Sequence, residues 1–363
     1  MNAKNINKTV AIAMSGGVDS SVAAALLVKA GYDCFGVFMH FWTDPTGMAQ
    51  KDNKCCSLAS FEDARRVCQK LGIKLYTLNF DEIFKEKIVD SFLCEYAKGK
   101  TPNPCVACNK FIKCGALLQK VRAMGADYLA TGHYIKKARR AANYQLLVAE
   151  DKEKDQTYFL YNLKQSDLKY LLFPVGDYTK LEVRGLAKKF HLPTAEKRES
   201  QEICFVPEKD HNEFLRRYLK MKPGKIVDTK GNAVGDHLGL PLYTIGQRKG
   251  VGSGEGPYYV TGFDLKKNRL IVTNNPNDKK LFSDKLVAGS VNWVVGKSPK
   301  LPFKCLAKIR YRHPAVPVVV SKSGGKIVVR FKTPQRAVTQ GQSIVFYAKR
   351  GRQVELLGGG VIK

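Results

Sequence analysis

Two groups of residues in this chain are of types and spacings that could do chemistry. The first is Ser15-Gly16-Gly17-Val18-Asp19-Ser20, between an apolar run, Thr9 to Met14, and a helix-like stretch, Ser21 to Ala30, ended by Gly31. A glycine-rich turn from strand to helix aims backbone N–H groups and the positive helix end at an anion. Gly16 and Gly17 permit close backbone approach, and the serines add hydroxyl donors. No Gly-Lys-Ser/Thr ending follows and G-x-G-x-x-G is absent, so neither a Walker loop nor a dinucleotide fingerprint is present. The second group is Thr101-Pro102-Asn103-Pro104-Cys105-Val106-Ala107-Cys108-Asn109-Lys110. Two prolines predict an extended loop before a helix over Asn109–Met124, with Cys108 at or near its N-terminus and Lys110 close by. Both influences favour a thiolate, the species that attacks, carries sulfur or binds metal. Cys204 follows in polar surroundings, Glu199-Ser200-Gln201-Glu202-Ile203-Cys204-Phe205.

Other readings of the cysteines are open at this point. A Cys-x-x-Cys can be half of a zinc site, completed by Cys55-Cys56 or His133, although no second Cys-x-x-Cys exists. Cys34 and Cys68 lie in apolar contexts and read as small core hydrophobes. Cys55-Cys56 reads as a packed loop pair.

The elements that must position these groups alternate in type over the first part of the chain. Strand candidates are Thr9–Met14, Cys34–His40, Lys74–Asn79 and Asp127–Thr131, with Tyr144–Ala149 a further one. Helices such as Phe61–Leu71 fall between them. That alternation predicts an α/β fold, a doubly wound parallel sheet with helices on both faces. Ligands in such sheets bind beyond the C-terminal strand ends, where Met14, Met39 and Thr131 lie. The Ser15–Ser20 loop, Met39 and Gly132-His133 are therefore expected to converge.

From His211 the pattern changes. A helix over Asn212–Lys220 leads into hairpins at Lys225–Gly239 and Tyr258–Asn274, the latter turning at Lys266-Lys267-Asn268. Short strands follow at Gly289–Val295, Lys304–Arg310, Val316–Val320, Lys326–Phe331 and Ser343–Tyr347, a spacing that predicts a small β-barrel or sandwich. The expected division is an α/β domain over 1–210, a small central α+β segment over 211–283 and the barrel or sandwich over 284–363.

The 363 residues carry 61 Lys+Arg against 32 Asp+Glu, a net charge of +29. Such an excess attracts and steers polyanions. Runs such as Lys136-Lys137-Ala138-Arg139-Arg140 read either as a solvated face or as part of a phosphate-facing surface. Met1 to Lys8 is short and polar, and no apolar segment reaches the ~20 residues of a membrane span. A cytoplasmic protein with no membrane partner is expected, its ten cysteines in a reducing compartment.

The Ser-Gly-Gly-x-Asp-Ser loop resembles the PP-loop of ATP pyrophosphatases, which cleave ATP between the α and β phosphates. Further pieces resemble the bacterial tRNA-specific 2-thiouridylases, in family order over almost the whole length. They are Gly36-Val37-Phe38-Met39, Asn53-Lys54-Cys55-Cys56-Ser57, Asp63-Ala64-Arg65 and Leu71-Gly72-Ile73. Next come Thr101-Pro102-Asn103-Pro104 with Cys108-Asn109-Lys110, Ala130-Thr131-Gly132-His133-Tyr134, and Lys154-Asp155-Gln156-Thr157-Tyr158-Phe159-Leu160. The last are Ser200-Gln201-Glu202-Ile203-Cys204-Phe205, Tyr243-Thr244-Ile245-Gly246-Gln247-Arg248, Ile309-Arg310-Tyr311 and Gly341-Gln342.

The resemblance implies a PP-loop domain, a small central domain and a C-terminal barrel. It also implies the family reaction, 2-thiolation of the wobble uridine in tRNAs for Lys, Glu and Gln. ATP would adenylate the C2 oxygen, and a persulfide loaded by a sulfur-relay protein or cysteine desulfurase would supply sulfur, releasing AMP and pyrophosphate. Carried over by position, Ala13, Met14, Ser15, Gly16, Gly17, Val18, Asp19, Ser20, Met39 and Gly132 would bind ATP, with Mg2+ at the phosphates. Cys108 would be the nucleophile and Cys204 the persulfide carrier, and the two could form a disulfide in some state. Asn103, Pro104 and residue 105 would meet the target base. His133, Lys154, Asp155, Gln156, Arg310, Tyr311 and Gln342 would contact tRNA.

One departure matters. Cys105 stands where the well-known branch of the family has an Asp acid/base. A thiol titrates near pH 8.5 and an Asp near 4, so that acid/base scheme does not transfer. Cys105, Cys108 and Cys204 could instead be three ligands of a [4Fe-4S] cluster with an open iron that carries sulfide. The persulfide and cluster routes both stay open on sequence. Rival functions are a PP-loop synthetase acting on a small molecule and a tRNA lysidine-type ligase, neither of which needs paired cysteines, and a non-catalytic RNA-binding protein, against which the intact Ser15–Ser20 loop argues.

Overall fold

The computed structural model describes residues 7–45, 57–198, 203–206, 211–251 and 257–363. Cys55-Cys56, Asn53-Lys54 and Ser200-Gln201-Glu202 lie outside the described residues.

The parallel sheet forms as the alternation predicts. It begins with β1 (Thr9–Met14), β2 (Asp33–His40), β3 (Lys74–Asn79) and β4 (Tyr128–Ala130). A hairpin, β5 (Lys136–Arg140) and β6 (Asn143–Leu147), intervenes before β7 (Leu171–Leu172). The order is β3-β2-β1-β4-β7, every neighbouring pair parallel. β1 is a near-continuous apolar run because both of its faces are covered. Val10, Ile12 and Met14 join one core with Val22 and Ala23 of helix Val18–Lys29 and Val183 of helix Lys180–Lys189. Ala11 and Ala13 face the other core, with Phe84, Phe92, Ile112, Leu117 and Tyr158. From β1 the chain builds outward through β2 and β3, then returns to pair β4 on the opposite side. The C-terminal ends of β1 and β4 therefore flank the topological switch point, where such sheets bind ligands.

Several helices start earlier than expected, at Val18, Leu58, Pro104 and His211, and the shift to Pro104 bears on the cysteines. Helicity begins at Pro104, not Asn109: α-helix Pro104–Cys108 runs into a π-helical stretch, Asn109–Leu117, and then α-helix Leu118–Ala123. Pro104 suits the first helical position, where no N–H is needed, and the Asn103 side chain accepts from the Val106 N–H at 3.3 Å. Cys105 therefore occupies the first turn, and Cys108 lies a turn further in.

The central segment makes a four-stranded sheet in the order β10-β11-β8-β9, from β8 (Gly224–Val227), β9 (Ala233–His237), β10 (Tyr259–Asp264) and β11 (Arg269–Thr273). Both expected hairpins are present. Helix His211–Tyr218 inserts Phe214 and Leu215 into the core of the catalytic part rather than into this sheet.

The C-terminal strands are β12 (Phe282–Trp293), β13 (Phe303–Lys308), β14 (Val316–Ser323), β15 (Lys326–Arg336), β16 (Ser343–Arg350) and β17 (Gln353–Ile362). They close in the order β12-β15-β14-β13-β16-β17, with β17 pairing back onto β12. Of the two expected architectures, the closed barrel is the one present, and closure removes the edges. β5–β6 is attached to its side, Leu147 opposite Glu355 and Leu146 opposite Leu356. The expected strand at Tyr144–Ala149 thus forms, but in the sheet of the barrel.

Candidate active site

The first part of the site is the turn after β1. Gly16 has φ +68°, and a Cβ there would stand 2.2 Å from the Ser60 carbonyl oxygen, so only glycine fits. The Ser20 hydroxyl donates to Gly17 O at 3.0 Å and accepts from the Ser15 N–H at 3.3 Å. Ser21 donates to Gly17 O at 2.8 Å. These bonds shape the turn so that the first N–H groups of helix Val18–Lys29, which have no intrahelical acceptors, point beyond the sheet.

Gly132, after β4, packs directly on this turn. A Cβ at Gly132 would lie 2.7 Å from Asp19 C and Ser20 N. Met39 follows Phe38, the β2 partner of Met14, and is buried. Gly132 therefore stands against the loop, and Met39 lies near the C-terminal end of the neighbouring strand β2. Asp19 Oδ1 accepts from Tyr134 OH at 2.8 Å and from Lys180 Nζ at 2.7 Å. Neither Tyr134 nor Lys180 was singled out for nucleotide binding from the sequence. The Thr179/Glu182 capping box signals the helix that begins at Lys180, but nothing local signals that its ammonium reaches Asp19.

His133 is 7% exposed, its Nδ1 lying 2.8 Å from Thr131 Oγ1. Burial, assisted by the positive charge of Lys113, pushes its pKa down to about 3. It is a neutral imidazole across the physiological range and does not serve as a proton donor there.

The second part is the loop ahead of Cys108, held by both C-terminal sheets. Thr101 donates its N–H to Gln340 O at 3.0 Å, and its carbonyl accepts from Gln342 Nε2 at 2.8 Å. The Thr101 and Thr244 hydroxyls are 3.1 Å apart. Arg310 Nη2 donates to Ala337 O at 2.7 Å, Thr339 Oγ1 at 2.8 Å and Ile245 O at 3.3 Å, tying the barrel to the central sheet. Burial lowers its pKa. The Tyr311 ring lies 4.4 Å from that of Phe159.

The residues expected at tRNA divide by burial. Asp155 is 3% exposed and accepts from Ala149 N at 3.2 Å and from Thr157 Oγ1 at 2.5 Å, so its carboxylate acts inside the protein rather than in a solvated turn. His133 is likewise internal. Gln156 brackets Tyr134, accepting its N–H at 2.9 Å and donating to its carbonyl at 2.9 Å. Lys154, Gln156, Arg310, Tyr311 and Gln342 are half-buried around the junction.

Among the cysteines, Cys105 is exposed, Cys108 is 8% exposed and Cys204 is half-buried. Cys108 belongs to the large core beneath the sheet, and Cys204 packs against the same core. Beside Cys204, the Phe205 ring lies 5.3 Å from Phe92 and 5.7 Å from Phe84. All three cysteines are thiols, with no Cys108–Cys204 disulfide. Burial pushes the thiols of Cys34 and Cys114 up to about 12 and that of Cys68 to about 11, which keeps them protonated and inert. Beside Cys108, the Asn109 Oδ1 is buried with no hydrogen-bond partner.

The two implied inorganic groups fit differently. Asp19 and the loop hydroxyls are hard oxygen donors. Nucleotide-bound Mg2+ needs only one or two carboxylates besides phosphate and water, so the loop fits it. Among the described residues no group of three or more His, Cys, Asp or Glu is placed to hold a metal ion. Of the three expected cluster cysteines, Cys105 is exposed on the first helical turn while Cys108 is buried in the core. The zinc alternative completed by Cys55-Cys56 falls outside the described residues, and His133 joins no such group among the described ones.

Three family models match successive parts of the chain. Residues 8–208 match the tRNA methyl transferase HUP domain, residues 212–274 the tRNA methyl transferase PRC-barrel domain, and residues 283–362 the aminomethyltransferase beta-barrel domain. The tRNA-specific 2-thiouridylase MnmA of Carboxydothermus hydrogenoformans is 48% identical over 98% of this chain and 98% of its own. The tRNA-specific 2-thiouridylase MnmA 1 of Caldanaerobacter subterraneus subsp. tengcongensis is 47% identical over 99% of this chain and 98% of its own. The U34-tRNA thiolase NcsA of Methanococcus maripaludis, solved with its [4Fe-4S] cluster, covers 56% of this chain and 62% of its own at 20% identity and a TM-score of 0.34, and no chemistry is carried over from it. A nucleotide loop and two cysteines on one core, with relatives this close over the full length, have one reading: the chain belongs to the MnmA family of tRNA-specific 2-thiouridylases, sulfurtransferases that act on tRNA uridine.

Proposed function

We propose that this chain activates the wobble uridine of tRNAs for Lys, Glu and Gln with ATP bound at Ala13–Ser20, Met39 and Gly132, and thiolates it from a persulfide on Cys204. Asn103, Pro104 and Cys105 face the base. A sulfur-relay protein or cysteine desulfurase loads Cys204. Bound with ATP, Mg2+ would neutralise phosphate charge, with Asp19 as its protein ligand.

The C2 oxygen attacks the α-phosphorus, and pyrophosphate leaves with the electron pair of the α–β bridge. The terminal sulfur of the persulfide then attacks C2, and the C2–O bond breaks to release AMP. The Cys108 thiolate attacks the Cys204 sulfur and breaks the S–S bond, leaving the outer sulfur on C2. The uridine N3 proton leaves on activation and returns with the thiocarbonyl. A Cys108–Cys204 disulfide results, and a dithiol reductant returns it to two thiols.

The observation that carries this reading is the common core under Cys108 and Cys204, which are far apart in sequence yet both packed on one apolar cluster, without Cys105. Two thiols so placed suit a relay. The test is anaerobic thiolation of an unmodified tRNA-Glu transcript with ATP and a persulfide donor, with iron assayed in the same samples. Cys108→Ser and Cys204→Ser are expected to abolish thiolation, and Cys105→Ser to retain it, with no iron. Loss in all three variants, with about four irons per chain, would replace the persulfide relay by a cluster.

A further inference from the structure

We infer that Lys180 is a phosphate ligand of the nucleotide site, its ammonium bridging Asp19 and the pyrophosphate portion of ATP. The inference rests on the reading of Ser15–Ser20 as the loop that binds the ATP phosphates.

Its placement is built rather than incidental. Lys180 opens a ten-residue helix, Lys180–Lys189, and its own N–H donates to Asp151 Oδ2 at 2.9 Å. Thr179 and Glu182 close a capping box around that start, Thr179 N donating to Glu182 Oε2 at 2.7 Å. From this anchored backbone the side chain, 11% exposed, runs back to the switch point and places Nζ 2.7 Å from Asp19 Oδ1. The same ammonium lies 5.7 Å from the centre of the Tyr134 ring, whose hydroxyl bonds the same carboxylate oxygen at 2.8 Å.

Stability alone does not account for an ammonium there. Burying an ion pair is weak evidence for stabilisation, since an apolar side chain of similar length packs as well without the desolvation cost. Electrostatics supplies a reason. Asp19 sits in the second position of helix Val18–Lys29, beside the N–H groups offered to the phosphates, where its carboxylate would repel an incoming triphosphate. A cation fixed against that carboxylate removes the repulsion. An ammonium has three donors, so one ion can hold Asp19 and a phosphate oxygen together. As the bond to the α-phosphorus breaks, charge accumulates on the departing pyrophosphate, and a desolvated cation in place beforehand stabilises it.

Binding of ATP and of AMP is measured at equilibrium, by calorimetry, for the full chain, Lys180→Met, Asp19→Asn and the double variant. Wild type is expected to bind ATP more tightly than AMP. Lys180→Met is expected to weaken ATP by about tenfold or more, the size of one charge-assisted hydrogen bond, and AMP by less than about twofold. The same loss is expected when Asp19 is already Asn, because the ligand is the phosphate. If Lys180→Met has no effect in the Asp19→Asn background, Lys180 only positions Asp19 and the inference is overturned. If wild type does not distinguish ATP from AMP, the loop reading itself fails. Lys180→Gln, uncharged but able to donate, serves where methionine fails to fold, and equal ATP affinity in that variant also overturns the inference.

Discussion

His133 shows how burial alone sets the state of a titratable side chain. It follows Gly132 into the core, and its pKa falls from the ordinary 6.5 to about 3 chiefly through desolvation. The unfolded chain therefore binds a proton near pH 6.5 that the folded chain refuses. Stability from this residue is fully present above pH 6.5 and is lost as the pH falls toward 3. At pH 5.5 the loss is on the order of 1 kcal/mol. Urea unfolding at pH 7.5 and pH 5.5 checks it: wild type is expected to lose about that much more stability than His133→Asn over the interval. Equal losses would place a charged imidazole at residue 133 and contradict the burial argument. At this scale the contiguous chemistry was legible in the sequence and the assembled chemistry was not. Ser15–Ser20 is read from six neighbouring residues because a turn and a helix start are local. Lys180 meets Asp19 across 161 positions, and only the fold makes that pair. Asp155 was expected at the tRNA, yet tertiary packing buries it and gives its carboxylate an internal set of donors.

Among the elements, the segment from Thr101 to Cys108 is where sulfur chemistry and the C-terminal sheets meet. Its start is fixed by Gln342 Nε2 on Thr101 O and by the Thr101 N–H on Gln340 O, and Gly341, with φ +89°, lets the two backbones approach. Gln342→Ala removes one bond at the half-buried junction, worth about 1 kcal/mol, and loosens the loop that presents Asn103 and Pro104. The expected outcome is a several-fold fall in single-turnover thiolation with ATP affinity unchanged, since Gln342 acts on Thr101 and not on the Ser15–Ser20 turn. A change in ATP affinity equal to the change in rate would show that the two parts of the site are not separate. Four of the five strands of the parallel sheet were legible, β1 most plainly because a strand covered on both faces is apolar throughout; the two-residue β7 was not. β17 was not, because Gly358-Gly359-Gly360 reads as a loop. Those glycines answer a packing demand invisible in sequence: a Cβ at Gly358 would meet Asn292 O at 2.2 Å, and one at Gly359 would meet Ile344 O at 2.7 Å. The π-helical run through Asn109–Leu117 was equally hidden, since its residues read as ordinary helix formers.

Across the whole molecule, the net charge of +29 was legible as an affinity for polyanions, but which face carries it depends on strand register. Of the basic residues in the barrel, Arg310 is turned inward to carbonyl groups. Others line up outside. Lys285 of β12 stands opposite Arg330 of β15, Arg330 opposite Val319 of β14, and Val319 opposite Lys304 of β13. All four are exposed, so three cations and one apolar side chain form a row across four neighbouring strands. Strands about 4.8 Å apart give that row a length of roughly 14 Å. A rigid row of cations on a closed barrel suits phosphate contacts, which position a nucleic acid without reading its bases. Replacing Lys285, Lys304 and Arg330 together with glutamine is expected to weaken tRNA binding alike for all accepted tRNAs. The slope of log affinity against log salt should fall by roughly 2 to 3, one counterion for each lost contact. The thermal midpoint should stay where it is, because exposed side chains away from caps and cores contribute little to stability. An unchanged salt slope would place the tRNA backbone elsewhere, and the half-buried junction around Lys154 and Tyr311 would then be the face to test.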